Sequence, residues 1–547
     1  MSEYNKIITT VLELYPNAEG IILYGSRIGG YARPDSDYDV LVIVPKYPYG
    51  LRYYYKDFNK TKLALLITND KLIVLDASFG FLGEFIAGRL LAPIEIIYDK
   101  GKARNIVTLY RYRIVLEGVN DLAKLSVMNE DIEVPIEYFP IRKMRIRAQL
   151  YTPLKYSYSK LLNTPRIRER LRNEYKDIIN KLIDEGILEY INEDYVKLKT
   201  SKKINVVDKV LNIASLLIKG IASYLAHAYA GLPEISHITF EITSKVKRRR
   251  YEVPEELKYP EILLKLKEGI ILKGSKWLNE LLKSLCGEGC KARIIDKRRT
   301  GIYTAVIYEI EKNGEKYPIV IKEYASLSAF KWFIVEVLGR TAIDFYLDAI
   351  ERLCREYHFM LRLRDAKNNI LTPRILGVHL SKKILIREFI QGLSLLPGIM
   401  VKTKEVIIRP KEFYRVGEVL AIIHSKGYAI GDCKPDNFII SNDSKYVYLV
   451  DLEQARSTEN ENVMAWDIAE FTYFTFFKLY NKPRIAEELI RSFINGYLNY
   501  GSSKIVKRAC KREAQIPFIP GFVLNPPLLE KARKILEEEV NKIHKNN

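Results

Sequence analysis

The sequence predicts a multidomain α+β protein, with a mixed sheet and helices first, a basic helical middle, and a two-lobed C-terminal domain. Three observations predict it. The chain has 547 residues, 48% of them hydrophobic, which is too long for one core and enough to fill several. Short apolar runs bounded by Gly, Pro and Asp occur at 21–24 and 40–44, and strand-like runs return from about 290 onward. Between them, helical spacing and basic residues dominate. The expected division is 1–115, 116–260 and 261–500, with a basic helical tail at 501–547.

Composition narrows the function classes. The formal net charge of +20 favours a polyanionic partner such as RNA. Of the five cysteines only Cys286 and Cys290 are close in sequence. No second pair completes a zinc site, and the odd count does not suggest a secreted disulfide framework, so a reducing cytoplasm is expected. The opening MSEYNKIITT has no apolar signal region. The longest apolar stretch, about 206–230, carries Asp208, Lys209 and Lys219 and reads as a buried helix, so no membrane association is expected.

The first domain carries the segment EGIILYGSRIGGYARPDSDYDVLVIVP. An apolar run leads into Gly25-Ser26, and ten residues later Asp37-Tyr38-Asp39 opens a second run. On a strand, i and i+2 share a face, so Asp37 and Asp39 project together. Two adjacent carboxylates call for a cation between them, and Mg²⁺ or Mn²⁺ with nucleotide phosphates is the natural partner. Gly25 lets the backbone approach a phosphate, and Ser26 can hydrogen-bond it. This stretch resembles the nucleotidyltransferase superfamily of minimal nucleotidyltransferases, antibiotic adenylyltransferases and CCA-adding enzymes, over about residues 1–110. The resemblance implies that Asp37 and Asp39 bind metal. It also implies a third carboxylate on a later strand, expected as Asp76 in KLIVLDASFG, which would activate the attacking hydroxyl.

Residues 141–176 hold eleven Lys or Arg against two Glu, interleaved with Tyr151, Tyr156, Tyr158 and Tyr175. Cations among aromatics suit phosphate contact and base stacking, while a solvated helix face is the plainer reading. A helix ended by Gly186 is then followed by a short hairpin around Asn192-Glu193-Asp194, the order in which a winged helix ends. His227 and His237 follow no metal-ligand spacing.

From about 290 the chain reads as strand, loop, strand, turn, strand, with Asn313-Gly314 as a hairpin turn. Lys322 ends the third strand, above a loop whose one glycine is Gly301, and so can reach nucleotide phosphates. Glu356 can pair with Lys322, with Glu336 and Glu351 as competitors. Glu388 and Phe389 would link the two lobes, where an adenine would meet the backbone. In HSKGYAIGDCKPDNFII and YVYLVDLEQA, Asp432 can take the proton of an attacking hydroxyl, Lys434 can steady the phosphoryl group, and Asn437 and Asp451 can hold metal.

This half is similar to the protein-kinase-like superfamily, over about residues 290–500. It departs from the usual pattern at Ile430, where a histidine is common, and at Asp451-Leu452-Glu453. Only fifteen residues separate Asp451 from Asp467, the expected buttress of the catalytic loop, which leaves no long activation loop. These departures resemble the compact atypical kinases, the RIO type and the kinase of the KEOPS tRNA-modification complex. The resulting expectation is an ATP-dependent Ser/Thr kinase fused to a metal-dependent nucleotidyltransferase. Its acceptors would be protein, or RNA of tRNA or ribosomal kind docked by the basic middle. The alternatives are a small-molecule kinase, or a nucleotide-sensing or RNA-binding protein with one or both heads inactive.

Overall fold

Strand alternation in the first hundred residues resolves into one five-stranded sheet. A computed structural model describes residues 2–59, 61–199, 251–287, 290–297, 305–312, 314–324, 344–396, 409–515, 518–519 and 526–546. Gly301, Glu336, His227, His237 and the apolar stretch at 206–230 lie outside the described residues. The chain folds as two compact units, one of Met1–Lys124 with Ile132–Lys265 and one of Leu125–Asp131 with Leu266–Asn547.

In the first unit, helix α1 (Glu3–Leu14) starts at Ser2, whose hydroxyl accepts the Asn5 N–H. Its Ile7 and Val11, one turn apart, bury against the sheet with Leu23, Val40, Val42 and Leu65. Strand β1 (Gly20–Tyr24) runs into the single turn α2 (Gly25–Ile28), then returns antiparallel as β2 (Tyr38–Ile43). The hairpin β3 (Leu51–Phe58) and β4 (Thr61–Thr68) adds β4 parallel to β2. Helix α3 (Asp70–Phe79) follows, and β5 (Glu95–Asp99) closes the order β3-β4-β2-β1-β5. Helix α4 (Ala103–Ala123) precedes strand β6 (Ile132–Pro135), and then come helices α5 (Tyr138–Leu150), α6 (Pro153–Leu162) and α7 (Pro165–Asp184). Helix α7 ends beside Gly186, at φ +73°, and a hairpin of β7 (Leu188–Tyr190) and β8 (Tyr195–Leu198) follows, with β6 paired to β8.

The basic run at 141–176 is largely tied up inside this unit. Lys143 pairs with Glu84 and Glu117 at 2.5 and 2.7 Å, and Arg142 pairs with Asp121. Arg168, Arg170 and Arg172 pair with Glu256, Glu174 and Glu137. Tyr158 and Tyr175 are core residues.

In the second unit a six-stranded sheet has the order Ile270–Ile271, Ile375–His379, Ile384–Glu388, Glu315–Glu323, Ala305–Lys312, Lys291–Lys297. The Trp277–Cys286 helix covers one face, where Leu281 and Leu282 pack on Ile310, Ile319, Ile321 and Ile386. Strand alternation sends Lys322 to the other face. The chain leaves this sheet after Glu388 and enters a four-stranded sheet at Gly392–Ser394. Helices Pro410–Ser425 and Pro483–Tyr500 pack beside it, backbone to backbone. A Cβ on Gly417 would lie 2.0 Å from the Phe493 carbonyl oxygen, and one on Gly496 1.9 Å from that of Tyr414. Among the described residues no helix is long and apolar enough to cross a membrane.

Cys286 and Cys290 are joined in a disulfide, whereas the sequence reading left both reduced. They lie four apart where the helix ends, with their Cα atoms at 6.2 Å, inside bonding reach.

Candidate active sites

In the first unit the site grows from the β1–α2 turn. Gly25 sits at φ +77°, and a Cβ there would lie 2.0 Å from an Asp39 carboxylate oxygen, so only glycine lets the turn close over that carboxylate. The Ser26 N–H donates to Asp39. Arg27 stacks on the Tyr38 ring at 4.1 Å and donates to the Ser36 carbonyl through Nε at 3.0 Å, which pins the loop leading to Asp37. Asp37 and Asp39 are both half-buried at the start of β2. Burial pushes the Asp39 carboxyl up to about 6; the Asp37 charge adds to this, while Arg89 and the Ser26 N–H act the other way. A raised pKa of this kind is what a dication would relieve, so the pair fits a divalent metal.

Asp76 departs from the expected strand position. It lies on helix α3, not on a strand, and is fully buried. Its carboxylate accepts four backbone N–H groups, from Leu82 and Glu84 on Oδ1 and from Ile86 and Ala87 on Oδ2, at 2.8–3.0 Å. The resemblance implied a strand here, but Ile73, Asp76 and Ala77 are the buried positions, at helical spacing. The strand beside β2 supplies no replacement: β4 reads TKLALLIT, with Ala64 opposite Asp39.

Sequence reasoning missed Arg89. Its guanidinium acts on Asp39 and lies over the Phe85 and Tyr24 rings at 5.0 and 5.7 Å, and Nη2 donates to the Tyr53 hydroxyl at 3.0 Å. No local signal marks it, because it stands fifty residues from Asp39 in an apolar run.

In the second unit, Lys322 meets Glu356 at 2.5 Å, Glu453 at 3.1 Å, and Asp451. Burial disfavours its charge, but Asp451, Glu356 and Glu453 outweigh that and hold its pKa well above the usual lysine value. Glu356 is the partner; its competitor Glu351 instead lies 3.4 Å from Arg355. Glu453, noticed in sequence only as a departure, also lies 3.4 Å from Arg352. Asp451 holds φ +63° just after its strand, a left-handed conformation unusual for a non-glycine residue.

Asp432 is buried, and Lys434 pairs with it and lies 3.7 Å from Glu470. The loop is braced from the Glu461–Lys478 helix. Asp467 accepts the N–H groups of Ile430 and Gly431 at 2.7 Å each, and Glu470 accepts that of Cys433 at 2.7 Å. Asn437 donates its amide N–H to the Asp432 carbonyl at 2.7 Å, leaving its amide oxygen as the atom suited to a cation. With Asp451 it makes an all-oxygen donor set, the kind Mg²⁺ takes. Glu388 ends its strand. Its N–H donates to the Arg374 carbonyl at 2.9 Å and that of Phe389 to the Pro318 carbonyl at 3.4 Å, so both backbone donors are already engaged.

The family model described as Polymerase beta, Nucleotidyltransferase matches residues 5–89, the stretch that contains Gly25, Ser26, Asp37 and Asp39. This match supports a transferase function for the N-terminal part of the chain. No curated protein matches the chain.

Proposed function

We propose that the protein is a bifunctional phosphotransferase, a metal-dependent nucleotidyltransferase fused to an atypical ATP-dependent Ser/Thr kinase. At the N-terminal site Asp37 and Asp39 would hold Mg²⁺ or Mn²⁺. An acceptor oxygen attacks the α-phosphorus of the nucleotide and pyrophosphate leaves. At the C-terminal site Lys322, oriented by Glu356, binds nucleotide phosphates, and Asn437 and Asp451 would hold the metal. A hydroxyl attacks the γ-phosphorus, its proton passes to Asp432, and ADP leaves while Lys434 steadies the transferring group. Bound metal neutralises phosphate charge at both sites.

The observation that carries the kinase half is the meeting of Lys322, Glu356 and Asp451 around one ammonium, beside a loop that sets Asp432, Lys434 and Asn437 together. The acceptors are protein, or RNA reached through the basic residues of the middle region left exposed. The test is transfer from ATP labelled on the α- or γ-phosphate, with cell protein and total RNA as acceptors. γ-Label transfer lost only in Asp432→Ala, and α-label transfer lost only in Asp37→Ala/Asp39→Ala, support the two halves separately. Retention of either label's transfer in its own variant overturns that half.

A further inference from the structure

An ammonium has three N–H donors, and three carboxylates surround that of Lys322: Glu356 at 2.5 Å, Glu453 at 3.1 Å, and Asp451. A phosphate that reaches Lys322 must displace one of them. Asp451 is the exposed member, with 35% of its side chain accessible, and is the one a metal would take. Glu356 has no exposed surface. Glu453 is left without a role by the transfer reaction above. Its other oxygen lies 3.4 Å from the buried Arg352 guanidinium, one turn ahead of Glu356 on the Ala349–Arg362 helix. The next residues are fastened to the same stretch. The Gln454 amide exchanges two hydrogen bonds with the Tyr346 backbone at 2.9 and 3.1 Å, and Arg355 donates to the Ala455 carbonyl at 2.9 Å. Glu453 is thus held beside Lys322. Three carboxylates in contact with two cations give the place where phosphates must bind a surplus of negative charge.

We propose that Glu453 makes Lys322 selective for nucleotide carried by a divalent cation, by repelling nucleotide that arrives without one. This rests on the reading of Lys322 as the residue that binds nucleotide phosphates. Bare nucleotide brings its full phosphate charge against Glu356, Asp451 and Glu453 together. A divalent cation cancels two of those charges and engages Asp451, so the repulsion left to Glu453 is smaller.

Nucleotide binding is measured calorimetrically on the full chain in an Asp37→Asn/Asp39→Asn background, which weakens the N-terminal site. The probe is β,γ-methylene-ATP, in EDTA or with Mg²⁺. Glu453→Gln keeps the side chain's shape and an oxygen for Arg352, and loses the charge. It is expected to tighten metal-free binding about tenfold or more and Mg²⁺-complexed binding about threefold or less. Loosened packing weakens both by a similar factor, so the ratio of the two affinities separates the roles. Glu453→Gly is expected to move the ratio the same way, and it decides the matter if Glu453→Gln fails to fold. An unchanged ratio, or one that moves toward the complexed form, overturns the inference, as does metal-free binding that stays undetectable in both variants. If Lys322→Met binds both forms as the parent does, the reading of Lys322 itself falls, and the role of Glu453 with it.

Discussion

Lys322 and Glu356, thirty-four residues apart, meet in a 2.5 Å ion pair in which Glu356 has no exposed surface. The two partners do not depend on each other equally. Lys322→Met leaves a buried carboxylate without its cation and is expected to cost about 3–5 kcal/mol of unfolding free energy, measured by urea denaturation. It should also abolish γ-phosphate transfer. Glu356→Gln leaves the ammonium with Asp451 and Glu453, so it should fold better than Lys322→Met yet transfer γ-phosphate about ten- to a hundredfold more slowly.

Asp467 is predicted to act on chemistry through the backbone. Its two oxygens serve the N–H groups of Ile430 and Gly431 and the His424 imidazole. Asp467→Asn sets an NH₂ group against one of these donors, a loss of about 1–3 kcal/mol. Steady-state kinetics should show kcat for γ-transfer falling more than the nucleotide KM rises, because the loop that carries Asp432 loses its brace while Lys322 is untouched.

Asp76 and Asp37 should separate cleanly. Asp76→Asn removes acceptors from four backbone donors and is expected to lower the thermal midpoint while Mn²⁺ still binds the folded protein at the N-terminal site. Asp37→Asn should abolish that binding and leave the midpoint of the metal-free protein almost unchanged. Calorimetry and thermal melts on both variants check this.

The N-terminal site should lose metal on mild acidification. A carboxyl raised to about 6 is protonated below that pH, and its cation must then displace a proton. Mn²⁺ affinity is expected to be flat above pH 7 and to fall toward tenfold per unit below pH 6. The metal-free fold follows the opposite sense. A native carboxyl that holds its proton more tightly than the unfolded one makes the protein less stable as pH rises from about 4 to 6. Asp39→Asn should remove that contribution.

The legible parts of the sequence were those in which local spacing and long-range geometry agree. Gly25-Ser26 and Asp37-x-Asp39 could be placed because a turn and one strand fix both. Lys322, Asp432, Asn437 and Asp451 could be followed in order because each stands near an element's end or on a marked turn, whereas Glu356 lies in the middle of the Ala349–Arg362 helix and had competitors. Asp76 was misplaced because an apolar run of ten residues fits either period. Arg89 left no trace and Glu453 showed only as a departure from a pattern, since each meets residues distant in sequence. The arginines of 141–176 read as a surface because their carboxylate partners, among them Glu84, Asp121 and Glu256, lie outside that window.

The segment Leu125–Asp131 belongs to the second unit, although the chain on both sides of it belongs to the first. Asp131 meets His358 at 2.6 Å on the helix that carries Glu356, and Lys267 at 2.7 Å, while Glu130 meets Arg362 at 2.8 Å. The polypeptide therefore passes from one unit to the other three times, and no single scission yields two intact halves. A fragment begun near residue 260 would lack the carboxylate that faces His358. Expressed alone, it should fold poorly, and it should be rescued by grafting residues 125–131 onto its start or by supplying them as a separate peptide. Gene splitting at this boundary is thus disfavoured, and the two units are inherited as one piece.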